Sequence, residues 1–160
     1  MQSQFLEHCF PLLHYAELDY GFIHRLDIPS SGLILAGTSF EGLFWIRWQL
    51  NVYLIQREYY VLSHDLASMA LSRIAAAIDV RTHRLGSHRS ITDENGGPAE
   101  TWVRVISHVK SQSSMADLGT PVCIRIRTGR KHQIRAHLRS SGHPSVVDGM
   151  YGVSRVLFAN

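Results

Sequence analysis

Thr128-Gly129-Arg130-Lys131-His132-Gln133-Ile134-Arg135-Ala136-His137-Leu138 follows directly on Val122-Cys123-Ile124-Arg125-Ile126-Arg127. In the upstream segment the apolar residues 122, 124 and 126 share one face and the two arginines the other, the period of a half-buried strand. Thr128 and Gly129 then open a helix expected to run to about Ser140, with Ile134 and Leu138 one turn apart on its core side and Gly142 at its end. A strand that turns into a helix through a basic junction is the feature around which the rest of the chain is read.

Working outward, Ala99 to Val109 alternates Trp102, Arg104, Ile106 and His108 with Thr101, Val103, Val105 and Ser107. This predicts a strand paired antiparallel with 122–127 across a Ser/Gly-containing connection from Lys110 to Thr120. Residues 81 to 98 are polar, close on Gly96-Gly97-Pro98 and read as an exposed excursion. Met69 to Ile78 is apolar enough for a helix, with a loop or strand entry as the alternative, and Gln56 to Leu62 is a tyrosine-rich strand. Phe40 to Leu50 has few polar interruptions and predicts a largely buried helix, with Trp45 and Trp48 in the core. Gly21 to Asp27 is extended, Pro29-Ser30-Ser31-Gly32 turns, and Leu33-Ile34-Leu35-Ala36 reads as a buried strand. Residues 1 to 20 form a lead-in without clear periodicity.

A chain of 160 residues with 45% hydrophobic and 18% charged residues suits a folded domain and not a disordered segment. Its two cysteines, Cys9 and Cys123, form no C-x-x-C pair, which argues against a disulfide scaffold or zinc ribbon and for a reducing compartment. No apolar run reaches the roughly 18 to 20 residues of a membrane span, and no secretory signal pattern follows Met1. Net charge is only +3, yet between Asp117 and Asp148 there is no acidic residue, while Arg125, Arg127, Arg130, Lys131, Arg135 and Arg139 fall in that interval. Such polarisation suits a polyanion, although a solvated charged face gives the same pattern.

Two clusters carry chemistry. Backbone N–H groups at a helix start beside Arg130 and Lys131 favour a phosphate or carboxylate, and Arg135 and Arg139, one turn apart, extend the positive character; ordinary capping with exposed basic side chains is the alternative. His24-Arg25-Leu26-Asp27 crowds a histidine, an arginine and a carboxylate before a rigid turn. Asp27 there can be nucleophile, base or an acceptor for turn N–H groups, and the last is the commoner role of an aspartate before a turn. His132 and His137 are five apart, off a shared helical face and without a third ligand nearby, so no metal site is expected.

The residue strings resolve what local chemistry leaves open. Residues 128–138 resemble the T-G-R-x-H-Q-I-R-x-H-L signature of RluA-type RNA pseudouridine synthases. Gly142-His143-Pro144, Asp148 and Tyr151-Gly152 are similar to that family's G-H-P-x-x-x-D-x-x-Y-G segment. His24-Arg25-Leu26-Asp27 with Ser30-Ser31-Gly32 resembles its H-R-L-D-x-x-[TS]-S-G motif. Arg57-Glu58-Tyr59 resembles its K-x-Y element, with arginine for lysine, and Pro98-Ala99-Glu100-Thr101 its P-A-x-T element. All five occur in the family's order across residues 22 to 152.

The resemblance implies an α+β fold with a mixed, mainly antiparallel sheet, flanking helices and a central catalytic cleft in residues 21–160. It implies isomerisation of a uridine in RNA, tRNA or rRNA, with no cofactor and no metal. Asp27 matches the catalytic aspartate, Tyr59 the active-site tyrosine that stacks on uracil and relays the C5 proton, and Arg130 the basic partner of the aspartate. Arg25 matches the residue that fills the space of a flipped nucleotide, with a structural salt bridge as its alternative role, and His24, Lys131, Arg135 and Arg139 are the remaining RNA-contact candidates. Gln133, Ile134 and His137 are expected to orient the helix against the sheet. A soluble monomer of the cytoplasm or an organellar matrix is the expectation. Residues 1 to 20 lack the family's K-P-x-G motif, no S4 module precedes Asp27, and the chain stops after Val156-Leu157-Phe158-Ala159, before the L-H-A strand. The domain is therefore expected to be incomplete at its C-terminus, with a catalytically inert RNA-binding relative and a basic structural domain as alternatives to an active enzyme.

Overall fold

The computed structural model describes residues 10–80, 89–110, 118–146 and 148–152. Residues 81–88 of the polar excursion, 111–117 of the connection, Cys9 and the 156–159 segment lie outside them. The chain forms two compact units, 1–55 and 56–160.

In the first unit, two 3-10 turns, Pro11–His14 and Ala16–Gly21, precede an extended stretch that bridges at Phe22 and Ala36. Helix α1, Phe40–Asn51, is capped by the Ser39 hydroxyl, which accepts the Gly42 N–H at 3.1 Å. The helix is where the sequence places it, but its burial is not. Only Leu43 is buried, whereas Trp45 and Trp48 stack on each other at 5.0 Å and are 61% and 49% exposed. A helix apolar on all sides can cover only one stripe against so small a unit. Nor is Leu33-Ile34-Leu35-Ala36 a buried strand: an isolated bridge at Ala36 and the bonds of Leu35 to Ile23 and His24 hold it, and Leu33 is 93% exposed.

The second unit is built on an antiparallel sheet. Its strands are β1 Arg57–His64, β2 Arg73–Ala75, β5 Glu100–Val105, β6 Val109–Lys110 and β7 Leu118–Ile126, in the order β1-β7-β5-β2 with β6 also on β7. Every pairing among the described residues is antiparallel. A two-stranded ribbon, β3 Ile78–Asp79 with β4 Ile91–Thr92, stands apart. The expected helix over 69–78 is absent: β2 pairs through Arg73↔Trp102 and Ile74↔Thr101, a tertiary pairing that overrides local helical composition. The predicted hairpin of 99–109 with 122–127 forms, but it is interrupted. Val105 faces Val122 and Val109 faces Gly119, so one extra residue bulges between them and turns His108 toward the Ala67 carbonyl at 2.8 Å. Pro121, which cannot donate to a ladder, falls at that bulge.

Helix α2, Gln133–Ser140, lays Leu138 against Val103, Val105, Val122, Ile124 and Ile126, with Tyr59, Val61 and Ile134 at the margin of this core. It starts five residues later than Thr128. Its end is as expected: the N–H groups of Gly142 and His143 reach back to the carbonyls of Arg139 and Leu138, with Gly142 left-handed at φ +85°.

Candidate active site

The late start of α2 has one cause. The Gln133 carboxamide oxygen accepts the Thr128 hydroxyl at 2.8 Å and the Arg130 N–H at 3.1 Å, holding 127–132 as a loop, and His132 enters the helix left-handed at φ 52°. Thr128 therefore does not cap the helix, and the Arg130 N–H is already engaged. The free helix-start N–H groups expected beside Arg130 are replaced by a loop pinned from inside.

That pin continues inward. The Gln133 amide donates to the Glu100 carbonyl at 3.0 Å and to the Thr101 hydroxyl at 3.1 Å. His137 donates from Nε2 to the Ala76 carbonyl at 2.9 Å, which requires Nδ1 of the neutral ring to accept from Thr101 at 2.8 Å. Gln133, His137 and Thr101 are all buried, and burial pulls the His137 pKa below its ordinary value, with the Ala76 hydrogen bond acting in the other direction. Gln133 and His137 thus fasten the helix to β5, as read from the sequence. Both His137 nitrogens are occupied, and among the described residues no group of three His, Cys, Asp or Glu could hold a metal ion.

Two close approaches bring further motifs to the same loop. A Cβ on Gly129 would lie 2.5 Å from Nη1 of Arg57, whose other terminal nitrogen donates to the Arg127 carbonyl at 2.7 Å. A Cβ on Gly97 would lie 2.8 Å from Cζ of Arg130, whose Nε reaches the Pro98 carbonyl at 3.4 Å. A side chain at either position would push the guanidinium group aside. The start of β1, which carries Tyr59 opposite Ile124, the Pro98–Thr101 segment and the Arg130 loop are thereby joined. Arg57 was visible in sequence as a substituted lysine position, but its bond to the loop was not.

The Gly142–Gly152 segment is a brace. Pro144 and Val146 bond to the end of β1, and Asp148 takes a bidentate ion pair from Arg135 at 2.7 and 2.8 Å. Asp148 also accepts the N–H groups of Met150 and Tyr151. Burial acts to raise the Asp148 pKa, but the Arg135 and backbone hydrogen bonds outweigh it and hold it below the ordinary value. Arg135, with a side chain only 12% exposed and its guanidinium 4.6 Å from the Tyr151 ring centroid, is turned inward. It does not extend an exposed basic face. Arg139 is exposed and donates to the Tyr151 carbonyl at 2.8 Å, while Lys131 is exposed on the loop.

Asp27 belongs to the first unit. Its carbonyl accepts the Ser30 N–H at 2.8 Å, closing the turn, and the next residue, Ile28, is fully exposed. Upstream, Ile23 N–H bonds to the Leu35 carbonyl and His24 Nε2 accepts the Leu35 N–H at 3.3 Å, so His24 braces the segment while Arg25 is exposed. The structure therefore sets Tyr59 and Arg130 in one unit and Asp27, His24 and Arg25 in the other.

An antiparallel sheet packed on a helix that starts from a glutamine-pinned basic loop defines an α+β domain. The sequence model described as RNA pseudouridylate synthase matches residues 11–140, and the chain belongs to that family. It is 32% identical over 143 residues to the ribosomal large subunit pseudouridine synthase C of Buchnera aphidicola, covering 89% of this chain and 42% of the relative. With the ribosomal large subunit pseudouridine synthase D of Nitrosomonas europaea it shares 32% over 132 residues, covering 82% and 36%. The chain thus spans about two fifths of the length of these relatives. The solved structure of human RNA pseudouridylate synthase domain containing 1 superposes with a TM-score of 0.75 at 23% identity, over 96% of this chain and 61% of that one, a likeness of fold.

Proposed function

We propose that the chain isomerises a uridine within RNA to pseudouridine, with Asp27 assisting cleavage of the bond between uracil and ribose C1′ and the base rejoining through C5. The observation that carries this reading is the pinned Arg130 loop, joined to the start of the Tyr59 strand by Arg57, in a chain that also holds Asp27 at an accessible turn. Cleavage develops positive charge on the sugar, which a carboxylate stabilises or captures. In this reading Tyr59 stacks on the base and relays the C5 proton, Arg130 is the basic partner of Asp27, Arg25 fills the space of the extruded nucleotide, and His24, Lys131 and Arg139 contact RNA. Arg135, also read as an RNA contact, would act there through the brace it forms with Asp148. No cofactor enters the scheme, and ribosomal RNA is the substrate class that the names of the relatives favour.

Incubating the protein with uridine-rich RNA and measuring the C5–C1′ nucleoside tests the proposal. Asp27→Asn is expected to cut product formation by on the order of 10²- to 10⁴-fold. A folded wild type that yields no product on ribosomal or transfer RNA would overturn it, and RNA binding retained without product would identify an inert RNA-binding relative.

A further inference from the structure

The face of the sheet opposite α2 is lined by a set of residues that the proposed reaction does not use. Register places Glu58, Arg125, Trp102 and Arg73 in one row across four strands, and Tyr60, Cys123 and Arg104 in the next. The Arg73 and Arg125 side chains are 58% and 52% exposed, and Tyr60 is 71% exposed. Arg104 is exposed, as is Arg127, one step past the end of β7. Glu58 is taken up by Arg125 at 3.0 Å and by the Tyr60 hydroxyl at 3.2 Å, and Glu100 by Arg73. Three strand arginines, Arg73, Arg104 and Arg125, against Glu58 and Glu100 leave this face positive. Glu58, Trp102, Arg104, Cys123 and Arg125 line an open depression of about 540 Å³.

From this geometry we infer that the outer sheet face is a second RNA-contacting surface, which takes an extended single-stranded segment. An open antiparallel sheet presenting aromatic rings between guanidinium groups stacks unpaired bases and neutralises the phosphates between them. Charged side chains occupy the centre of the face, which disfavours an apolar protein partner. The inference rests on RNA being the substrate, and it assigns that substrate a contact on the side of the sheet away from Tyr59.

The test is binding of a short single-stranded uridine oligonucleotide to the whole chain, followed by fluorescence anisotropy across a salt series. Arg104→Gln/Arg125→Gln is expected to weaken binding about tenfold and to flatten the slope of log K against log salt by about 0.7 for each lost contact. Tyr60→Ala is expected to weaken it by a similar factor, through the loss of one base–aromatic stack. With long RNA, KM rises while kcat stays within about twofold. Unchanged affinity and slope in variants with wild-type circular dichroism and melting would overturn the inference. So would a change in oligomeric state by analytical ultracentrifugation, which would mark the face as an interface between copies. The binding readout is independent of turnover. A wild type that makes no pseudouridine but shows these binding losses refutes the proposed activity alone, whereas normal turnover with unaltered binding refutes the second surface alone.

Discussion

The Thr128–Leu138 and His24–Gly32 motifs are equally legible as residue strings, yet the protein holds them in opposite ways. Around the first, the half-buried Thr128 and the buried Gln133, Thr101 and His137 form a chain in which each donor meets an acceptor, and Arg135 is clamped on Asp148. Around the second, the backbone is held by the Ile23–Leu35 bond, the His24 brace and the Asp27–Ser30 turn, with Ile28 and Leu33 projecting into solvent. The contrast separates two tasks. In the proposed reaction, the arginine that would stay in place sits on an over-determined scaffold, whereas the carboxylate that would meet RNA sits at the start of an exposed turn.

The sharpest way to break this comparison is to remove the clamp. Asp148→Ala strands the Arg135 guanidinium in a site that is largely closed to water, and it is expected to destabilise the second unit by about 3–5 kcal/mol in urea unfolding. A loss below about 1 kcal/mol would mean that the brace is dispensable.

Acidification acts on the same scaffold in two separate windows. The folded state holds His137 below its ordinary pKa of 6.5, so below that pH the unfolded chain binds the extra proton more readily. Stability is therefore full above about pH 6.5 and falls as pH drops toward the lowered folded value. His137→Gln, which keeps a donor for Ala76, should flatten this part of the urea midpoint against pH. Asp148 is also lowered, from 3.8, so its contribution is intact above that pH and is lost only under stronger acid, as the carboxylate protonates through its folded value. A urea midpoint that rises from pH 6.5 to 5.5 would contradict the neutral, buried assignment of His137.

The smallest effect belongs to the turn. Ile28→Ser replaces a fully exposed side chain and is expected to change stability by no more than about 0.5 kcal/mol. A loss above about 2 kcal/mol would show that the Asp27 turn is as tightly built as the arginine loop.

Much of the scaffold was legible in sequence because it rests on periodicity: the alternation of 122–126, the apolar pair Ile134 and Leu138, and the terminal Gly142 each have a local physical cause. Reading failed where partners are distant. Met69 to Ile78 carries helical composition but is drawn into β2 by Trp102 and Thr101. Trp45 and Trp48 look like core residues, yet the only stripe of α1 that finds cover runs through Leu43. Arg135 belongs by charge to an exposed basic face, and only the return of the chain at Asp148 turns it inward.

The sequence by itself determined the family, the α+β class, and the candidate residues Asp27, Tyr59 and Arg130, because motif spacing and alternation are properties of the chain alone. Tertiary structure alone decided where α2 begins, since a glutamine inside the helix, and not the threonine before it, satisfies the loop. It likewise decided which arginines face solvent, and that Arg73, Arg104 and Arg125, from three separate strands, share one face of the sheet. Hydrogen bonds and ion pairs between distant segments set those outcomes, and no local pattern records them.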